Sequence, residues 1–278
     1  MGKLKRRNKK IAERETARGT HPRLIPPVKN WDEDLPDLAE EQRYPPQLIR
    51  VKAINDVWME IPRYVNHGWS GIWLFSLIPL IPLIMSINFI RLPGVTSHPL
   101  LLFTIGLQIL IFSSFLICLL KKILFEPRGA PVRFNRKRQK VYVYEYQRSI
   151  WPWKRWHPVI KVFDWADIHA ERVLMAGHAD WGHRIYCAVC KPGTVEVMDR
   201  FILTWTVGSV FDAYGLWSHC CHYMQAKPVP TAPLLTKAPA SWTPFNTVRW
   251  PVDIDRESTT APDSQHDAQR TTGMTNHG

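Results

Sequence analysis

Two short clusters of cysteine and histidine have the composition of a metal site. The first is the CxxC sequence Cys187–Cys190, and the second is the run His219–His222, which reads His-Cys-Cys-His. Thiolate and imidazole groups are preferred zinc ligands, so these side chains could complete a tetrahedral site. However, residues three apart in a β-strand point to opposite faces, and the CxxC lies in a strand-like pattern. We therefore expect these side chains to be ordinary core or surface residues. The weak candidates for metal ligands among them are Cys187, Cys190, His219 and His222.

Other residue types that support catalysis do not form a recognisable pattern. His178, Asp180 and His183 share one loop, but a single loop is weak evidence for a metal site. The chain has no Gly-rich phosphate loop, nucleophile elbow or motif of paired acids. We therefore expect a protein that is not an enzyme and that needs no cofactor. Three further acids are best explained by strand ends and the surface: Asp164, Asp167 and Glu171.

Basic residues crowd around one predicted turn and could bind lipid phosphates or a partner. A solvated basic turn near the bilayer explains them equally well. The whole chain carries a formal net charge of +12, which suits an anionic partner. Because much of this charge lies beside apolar stretches, anionic lipids explain it most simply, and no nucleic acid is expected. The candidate lipid- or partner-binding residues are Arg133, Arg136, Lys137, Arg138 and Lys140.

Two uncharged stretches are long enough to cross a membrane. Residues 69–90 and 99–120 contain no charged side chain, and a crossing helix needs about 20 apolar residues. Between them lies a short polar turn centred on Pro93 and Gly94. The sequence therefore predicts a two-helix transmembrane hairpin.

Flanking charges predict the orientation of this hairpin. Basic residues precede the first stretch and follow the second, whereas the turn between them contains only Arg91. Positive residues stay on the cytoplasmic side, so both termini should be cytoplasmic. Trp69 and Trp73 fit the aromatic belt at the membrane interface. A channel is disfavoured because neither stretch contains an ionisable residue.

Beyond the hairpin the pattern changes to strands. In residues 140–146, Val141 and Val143 alternate with three tyrosines, which predicts opposite faces of a strand. Ser209 precedes an apolar stripe at helical spacing, so a helix should close the domain. This order resembles the pleckstrin-homology-like barrel, in which a last helix plugs one end. The expected fold is thus an α+β membrane protein, with a small antiparallel β-rich domain over residues 130–226.

The remaining segments read as flexible or interfacial. Residues 1–47 are basic and Pro-rich and predict a disordered arm, although Trp31 and Leu35 beside acids could anchor a partner. Residues 48–68 predict a short interfacial segment. Residues 227–278 are rich in proline and polar residues and predict a disordered tail. Three aromatic residues of this tail could dock on the domain or on a partner: Trp242, Phe245 and Trp250.

Three stretches carry a family resemblance: Pro131–Tyr142, which begins Pro-Val-Arg-Phe-Asn-Arg, Val162–Ile168 with its Trp-Ala-Asp, and Leu216–Met224. In this order they resemble a family of uncharacterised Proteobacterial two-pass membrane proteins with a C-terminal domain of unknown function. The likeness covers about residues 69–225. Members are often encoded near type VI secretion genes, so the resemblance implies an accessory or immunity role at the bacterial inner membrane. It implies no catalytic residues.

These observations predict a non-enzymatic inner-membrane protein that presents a cytoplasmic protein-binding domain. Its partners would be membrane lipids and a protein, for which the resemblance suggests a secretion effector in the type VI setting. One alternative is a lipid-headgroup-binding membrane module that uses the basic turn. The other is a zinc-binding or redox protein that uses the cysteine clusters.

Overall fold

The computed structural model describes residues 21–64, 74–126, 129–149, 151, 153–154, 156–176, 181–237 and 248–262. These residues form an α+β structure with antiparallel sheets. Its helices are α1 (Leu80–Ile90), α2 (Pro99–Phe125), α3 (Val210–Met224) and α4 (Val252–Thr259). Its strands are β1 (Trp31–Asp34), β2 (Ala53–Ile54), β3 (Trp58–Pro62), β4 (Pro131–Asn135), β5 (Lys140–Gln147), β6 (His157–Asp164), β7 (Ile168–Ala176), β8 (Trp181–Cys190) and β9 (Val197–Val207).

The strands form two sheets that enclose one main core. The five-stranded sheet has the order β2-β3-β4-β5-β6, and the four-stranded sheet has the order β1-β7-β8-β9. A short 3-10 turn, Trp165–Asp167, connects β6 to β7 and so leads the chain from one sheet to the other. Helix α3 contributes Leu216, Trp217 and Cys220 to the same core.

Alternation along β4 and β5 separates the core from the outer face of the five-stranded sheet. Val132, Phe134, Val141 and Val143 are fully buried and belong to the core. The residues between them point the other way, as the pleat of a strand requires. The prediction that Val141 and Val143 share one face of a strand is confirmed.

Helix α3 begins as its sequence predicts. The Ser209 hydroxyl accepts a hydrogen bond from the Phe211 backbone N–H at 3.2 Å and caps the first turn. Residues 215–221 are all buried, so this part of the helix is covered on every side, and burial continues to Met224. The predicted closing helix is therefore present, next to both sheets.

The prediction of a disordered arm over residues 1–47 is wrong for residues 21–47. Strand β1 pairs with β7, and Leu24 and Leu35 are buried. Acids of this stretch are ion-paired, as Glu33 is with Arg172 at 2.6 Å. Residues 1–20 lie outside the described residues. The interfacial segment predicted at residues 48–68 instead contains strands β2 and β3, up to Pro62.

Among the described residues, one helix is long and apolar enough to cross a membrane: residues 99–124 of α2. A shorter apolar helix spans residues 74–90, and its last turns form α1. Gly94 adopts a left-handed φ of 86° in the turn between the helices, where glycine carries no steric penalty. Residues 69–73, with the two predicted interfacial tryptophans, lie outside the described residues.

Both apolar helices form an insertion between two paired strands. Strand β3 ends at Pro62 and β4 begins at Pro131, and these two residues are paired across the antiparallel ladder. The chain therefore leaves the sheet and returns to it at the same place, with residues 63–130 in between.

The tail predicted as disordered over residues 227–278 is ordered in part. Residues 234 and 235 donate backbone hydrogen bonds to the carbonyls of Leu48 and Ile49. Further on, α4 packs on the outer face of the five-stranded sheet beside β4, close to Arg133. Residues 238–247, including Trp242 and Phe245, and residues 263–278 lie outside the described residues.

Candidate functional site

The outer face of the five-stranded sheet carries buried polar side chains. Glu60, Arg133, Asn135 and Tyr142 all point away from the core, yet each is less than 5% exposed. They are covered by residues 248–262, which we call the C-terminal segment. Buried polar groups are costly unless they are paired, so this face is built around specific contacts.

Arg133 is the centre of these contacts. Its Nε and Nη2 atoms donate to Glu60 Oε2 at 2.9 and 2.6 Å. Its Nη1 atom donates to Asp255 Oδ1 at 2.8 Å and to the Ser258 hydroxyl at 2.6 Å, both in the C-terminal segment. Glu60 belongs to the sheet and Asp255 to the segment, so Arg133 joins them electrostatically.

Two indole rings lie over the guanidinium of Arg133. Its Cζ atom lies 4.7 Å from the ring centroid of Trp58 and 4.4 Å from that of Trp250. Both distances are within the range of cation–π attraction, which is stronger where the cation is desolvated. Trp250 also meets Tyr144 edge to face at 5.4 Å. The segment is therefore held by an aromatic ring and a carboxylate on one arginine.

Further hydrogen bonds fix the backbone of the segment. The Asn135 side-chain amide donates to the carbonyls of Ser258 and Thr260 at 3.1 and 2.8 Å. Arg138 donates to the carbonyls of Thr260 and Ala261, each at 3.1 Å. These contacts satisfy carbonyls at the end of α4 and complement the partial negative charge there.

A carboxylate of the segment also meets the tyrosine of β5. The Tyr142 hydroxyl donates to Glu257 Oε1 at 3.0 Å, and Lys140 Nζ lies 3.8 Å from the same oxygen. Burial, and next the Glu257 carboxylate, raise the pKa of Tyr142. The phenol therefore stays protonated and acts as a hydrogen-bond donor. The whole arrangement is suited to binding a short acidic helix.

The predicted basic cluster thus divides between structural partners and solvent. Arg133, Arg138 and Lys140 contact the C-terminal segment, as described above. Arg136 pairs with Asp56 at 2.7 Å, whereas Lys137 is exposed. The turn that holds these residues follows the far end of β4, opposite Pro131 and the insertion.

The two cysteine and histidine clusters do not come together as a site. Cys187 lies in the main core, whereas Cys190 belongs to a separate small cluster with Leu24. Burial raises the pKa of both thiols, which keeps them protonated. No group of three or more potential ligands occurs among the described residues.

His219 is fully buried in α3, and neither ring nitrogen has a hydrogen-bond partner among the described residues. Burial lowers the pKa of His219 to about 4, so the ring is neutral near pH 7. Burial also lowers the pKa of His222, which is only partly exposed on the same helix. These histidines are therefore components of a packed helix.

Among the other candidate residues, Glu171 helps to hold the first described residues onto the four-stranded sheet. His183 Nδ1 lies 2.6 Å from Arg172 Nη1, and Glu171 accepts from the Val28 backbone N–H at 3.0 Å and from Arg200. Asp164 ends β6 and Asp167 ends the 3-10 turn. The predicted loop partners His178 and Asp180 lie outside the described residues.

Several residues of the outer face were not recognised in the sequence. Period-two alternation in Trp58–Pro62 signals a strand, since Met59 and Ile61 face the core. Pro251 followed by acids in the next turn signals a helix start. Both signals are short, which explains why they were missed. The unrecognised residues are Trp58, Glu60, Asp255, Glu257 and Ser258.

Fold and site together define an α+β domain with a helical segment bound on one sheet and a long apolar helix inserted beside it. Residues 109–246 match the model of a family of unknown function, DUF6708. The match begins within α2, covers β4–β9 and α3, and leaves out β1–β3 and α4. No curated protein and no solved structure matches this chain.

Proposed function

We propose that this protein is a non-enzymatic, membrane-anchored binding domain. Its anchor is a two-helix transmembrane hairpin formed from the insertion between β3 and β4. Its binding surface is the outer face of the five-stranded sheet, and its ligand is an acidic helical segment of a partner protein. The C-terminal segment occupies that surface as a ligand from the same chain.

The strand pairing at Pro62 and Pro131 supports the hairpin. A chain that leaves and re-enters one sheet at a single place must cross the bilayer an even number of times. Helix α2 has no charged residue over residues 99–120, and its surface residues are largely apolar and exposed, as a lipid-facing helix would be. If α2 crosses, the stretch before it must cross as well, and both termini then lie on one side.

Contacts at the base of the insertion support the same arrangement. Arg63 donates to the carbonyls of Ala130 and Tyr144, at 2.8 and 2.6 Å, and to that of Ile202 at 2.9 Å. Ala130 lies where the chain returns from the insertion. Tyr144 belongs to the five-stranded sheet and Ile202 to the four-stranded sheet. A Cβ on Gly129 would lie only 2.8 Å from the Tyr64 ring. The two ends of the insertion are therefore held close together.

The proposed binding function rests on the groups that surround Arg133, which we call the Arg133 cage: Glu60, Asp255, Trp58 and Trp250. Helix α4 has eight residues, and isolated helices of that length are marginal in water. It is therefore formed largely by docking, through an ion pair, a stacked indole and carbonyl hydrogen bonds. Contacts of this kind are typical of exchangeable peptide ligands, in which an aromatic anchor and a few charges provide most of the specificity.

The cellular setting rests on the resemblance alone. An accessory or immunity role at the bacterial inner membrane, beside type VI secretion, is the function that we propose for such a binding surface. A secretion effector with an acidic helix would then be the partner. The pleckstrin-homology-like arrangement is supported by two antiparallel sheets followed by a closing helix.

A peptide-binding measurement tests the proposal. A chain ending at residue 247, purified in detergent, is titrated with a fluorescent peptide of residues 248–262. Saturable binding is expected, and the full chain should bind the same peptide at least about tenfold more weakly because its own segment competes.

Matched peptides distinguish specific from nonspecific binding. Asp255→Asn in the peptide removes the charge that faces Arg133 and should weaken binding about tenfold or more. Asp253→Asn removes a charge from an exposed position and should have little effect. Equal affinity for the Asp255→Asn and unchanged peptides would show that the face does not recognise an acidic helix.

A further inference from the structure

The β5–β6 ribbon extends past the place where the insertion leaves the sheet. Val143 pairs with Val132 near the start of β4, whereas the ribbon continues to Gln147 paired with His157. The residues that connect the two strands, 148–156, read Arg-Ser-Ile-Trp-Pro-Trp-Lys-Arg-Trp. We call them the Trp loop, of which the structure describes residues 148, 149, 151, 153, 154 and 156.

The Trp loop lies along the last turns of α2. Lys121 Nζ donates to the Lys154 carbonyl at 3.2 Å, and Arg148 pairs with Glu126 just beyond the helix. The two elements share a surface cavity lined by Ser114, Phe115, Cys118, Arg148, Ser149 and Trp156. At 1.5 Å per residue, the contact from residue 114 to residue 125 covers about 16 Å of the helix.

Two tryptophans of the loop face solvent beside this helix. Trp151 and Trp153 are 61% and 69% exposed, with ring centroids 5.3 Å apart. Trp156 is instead held inside the loop, since its Nε1 donates to the Ser149 carbonyl at 3.1 Å. An exposed pair of indoles next to basic residues marks an interaction surface.

We propose that the Trp loop binds the lipid headgroup region of the leaflet at which α2 ends, with Trp151 and Trp153 inserted at the boundary with the acyl chains. The inference rests on the proposed membrane insertion. Continuity with α2 decides the occupant, because Lys121 and Lys122 end the apolar run at the level where the loop lies. Tryptophan is enriched at that level, since its apolar body and polar N–H suit the interface. Lys154 is exposed beside the rings and suits lipid phosphates.

This placement gives the loop a mechanical role. A hairpin alone fixes only where the domain is tethered. A second contact, beside the helix, would fix the tilt of the sheet against the bilayer. The residues around Arg133 lie at the middle of β4 on the outer face of the sheet, and Trp58 lies at the end of β3 away from the insertion.

Quenching by brominated lipids tests this placement. The full chain is reconstituted in nanodiscs of phosphatidylcholine and phosphatidylglycerol, with bromine either high or low on the acyl chain. The fluorescence of Trp151 and Trp153 is obtained by subtracting the tryptophan fluorescence of the variant Trp151→Phe/Trp153→Phe from that of the unchanged protein. We expect the high bromine to quench most of this difference and the low bromine to quench less.

Trp58→Phe is the control, because Trp58 lies at the far end of β3 from the insertion. The emission of Trp58, taken as the difference between the unchanged protein and Trp58→Phe, should not be quenched by either brominated lipid. Unquenched emission from Trp151 and Trp153 in a chain that resists alkaline extraction from membranes would overturn the inference and leave the anchor intact. A blue-shifted but unquenched pair would also overturn it, since a protein surface would then cover the rings. Release of the chain by alkaline extraction would instead contradict the anchor itself.

Discussion

Pro62 and Pro131 are paired across adjacent antiparallel strands, although residues 63–130 lie between them in the chain. Neighbouring strands lie about 4.8 Å apart, so a long insertion begins and ends at almost one point. The strand pair is in effect a β-hairpin whose connection contains both apolar helices. Any membrane topology of this protein must therefore place the two ends of the insertion side by side.

The first prediction concerns the turn between the helices. Ser97 is exposed after Gly94, and an even number of crossings puts it on the far side of the membrane from the sheets. In intact cells, Ser97→Cys should react with a membrane-impermeant maleimide. Thr194→Cys, in the exposed turn between β8 and β9, should react only after the cells are opened. Labelling of both in intact cells, or of neither, would contradict the hairpin.

The second prediction concerns Arg63, which satisfies three backbone carbonyls at the base of the insertion. Arg63→Met leaves these buried acceptors without a donor, and each such loss costs about 1–3 kcal/mol. We expect a loss of at least about 3 kcal/mol in unfolding free energy, measured by urea titration in detergent with near-ultraviolet circular dichroism. Lys191→Met, on an exposed turn, is the control and should change little. An unchanged midpoint for Arg63→Met would mean that the base is held by other contacts.

How far the sequence predicts this fold depends on the length of each signal. Strand β5 was identifiable because eight residues alternate, and α3 because a cap precedes a long apolar stripe. Strands β1 and β2 have four and two residues, which is too short for periodicity to distinguish them from a loop. Strand β1 is stabilised by β7, far along the chain, whereas β2 pairs with β3, which follows closely.

The candidate site was harder to predict for the same physical reason. Arg133 was recognised as basic, but its role depends on Glu60 and Asp255, which come from opposite sides of the chain. No local pattern connects residues 60, 133 and 255. A cluster of basic residues in a sequence therefore does not reveal that most of its charges have structural partners, nor that the turn lies away from the insertion between β3 and β4.

The third prediction concerns pH. The pKa of His219 falls from 6.5 to about 4 on folding, so the unfolded chain binds a proton that the folded chain does not. Above pH 6.5 the histidine is neutral in both states and does not lower the free energy of unfolding. As pH falls from 6.5 toward 4, protonation of the unfolded chain lowers that free energy by about 1.4 kcal/mol per pH unit. His219→Leu should reduce this slope between pH 6 and about 4.5 in urea titrations. His222→Leu, a less buried position, should reduce it less, and equal slopes for all three proteins would exclude the assignment.

The fourth prediction concerns the attachment of β1. Glu33 is 1% exposed and accepts hydrogen bonds from Arg43, Arg172 and Tyr214. Glu33→Gln removes one of the two carboxylates that compensate buried Arg172, the other being Asp32. The loss should therefore lie below the about 3–5 kcal/mol of a buried pair that is broken completely. Hydrogen exchange of residues 31–34 should accelerate markedly. Glu40→Gln, where the side chain is exposed, should leave it unchanged. Slow exchange in both variants would mean that apolar contacts of Leu24 and Leu35 hold this strand.

The fifth prediction concerns the Arg133 cage. Arg133→Met keeps much of the side-chain volume between Trp58 and Trp250 but removes the charge that faces Glu60 and Asp255. Two carboxylates would then face each other across an apolar side chain, so the C-terminal segment should detach. Hydrogen exchange and proteolysis at residues 248–262 should increase at least about tenfold, which corresponds to about 1.4 kcal/mol of docking free energy.

A second substitution on Glu60 separates docking from folding. In Arg133→Met, buried Glu60 keeps only the largely exposed Lys52 as an ion-pair partner. In Arg133→Met/Glu60→Gln this buried charge is absent, so global stability should recover in part while the segment stays detached. Lys137→Met, an exposed neighbour in the same turn, should change neither measurement. If the segment remains protected in the double variant, the aromatic contacts of Trp250 alone would hold it. The face would then select its ligand by shape and not by charge.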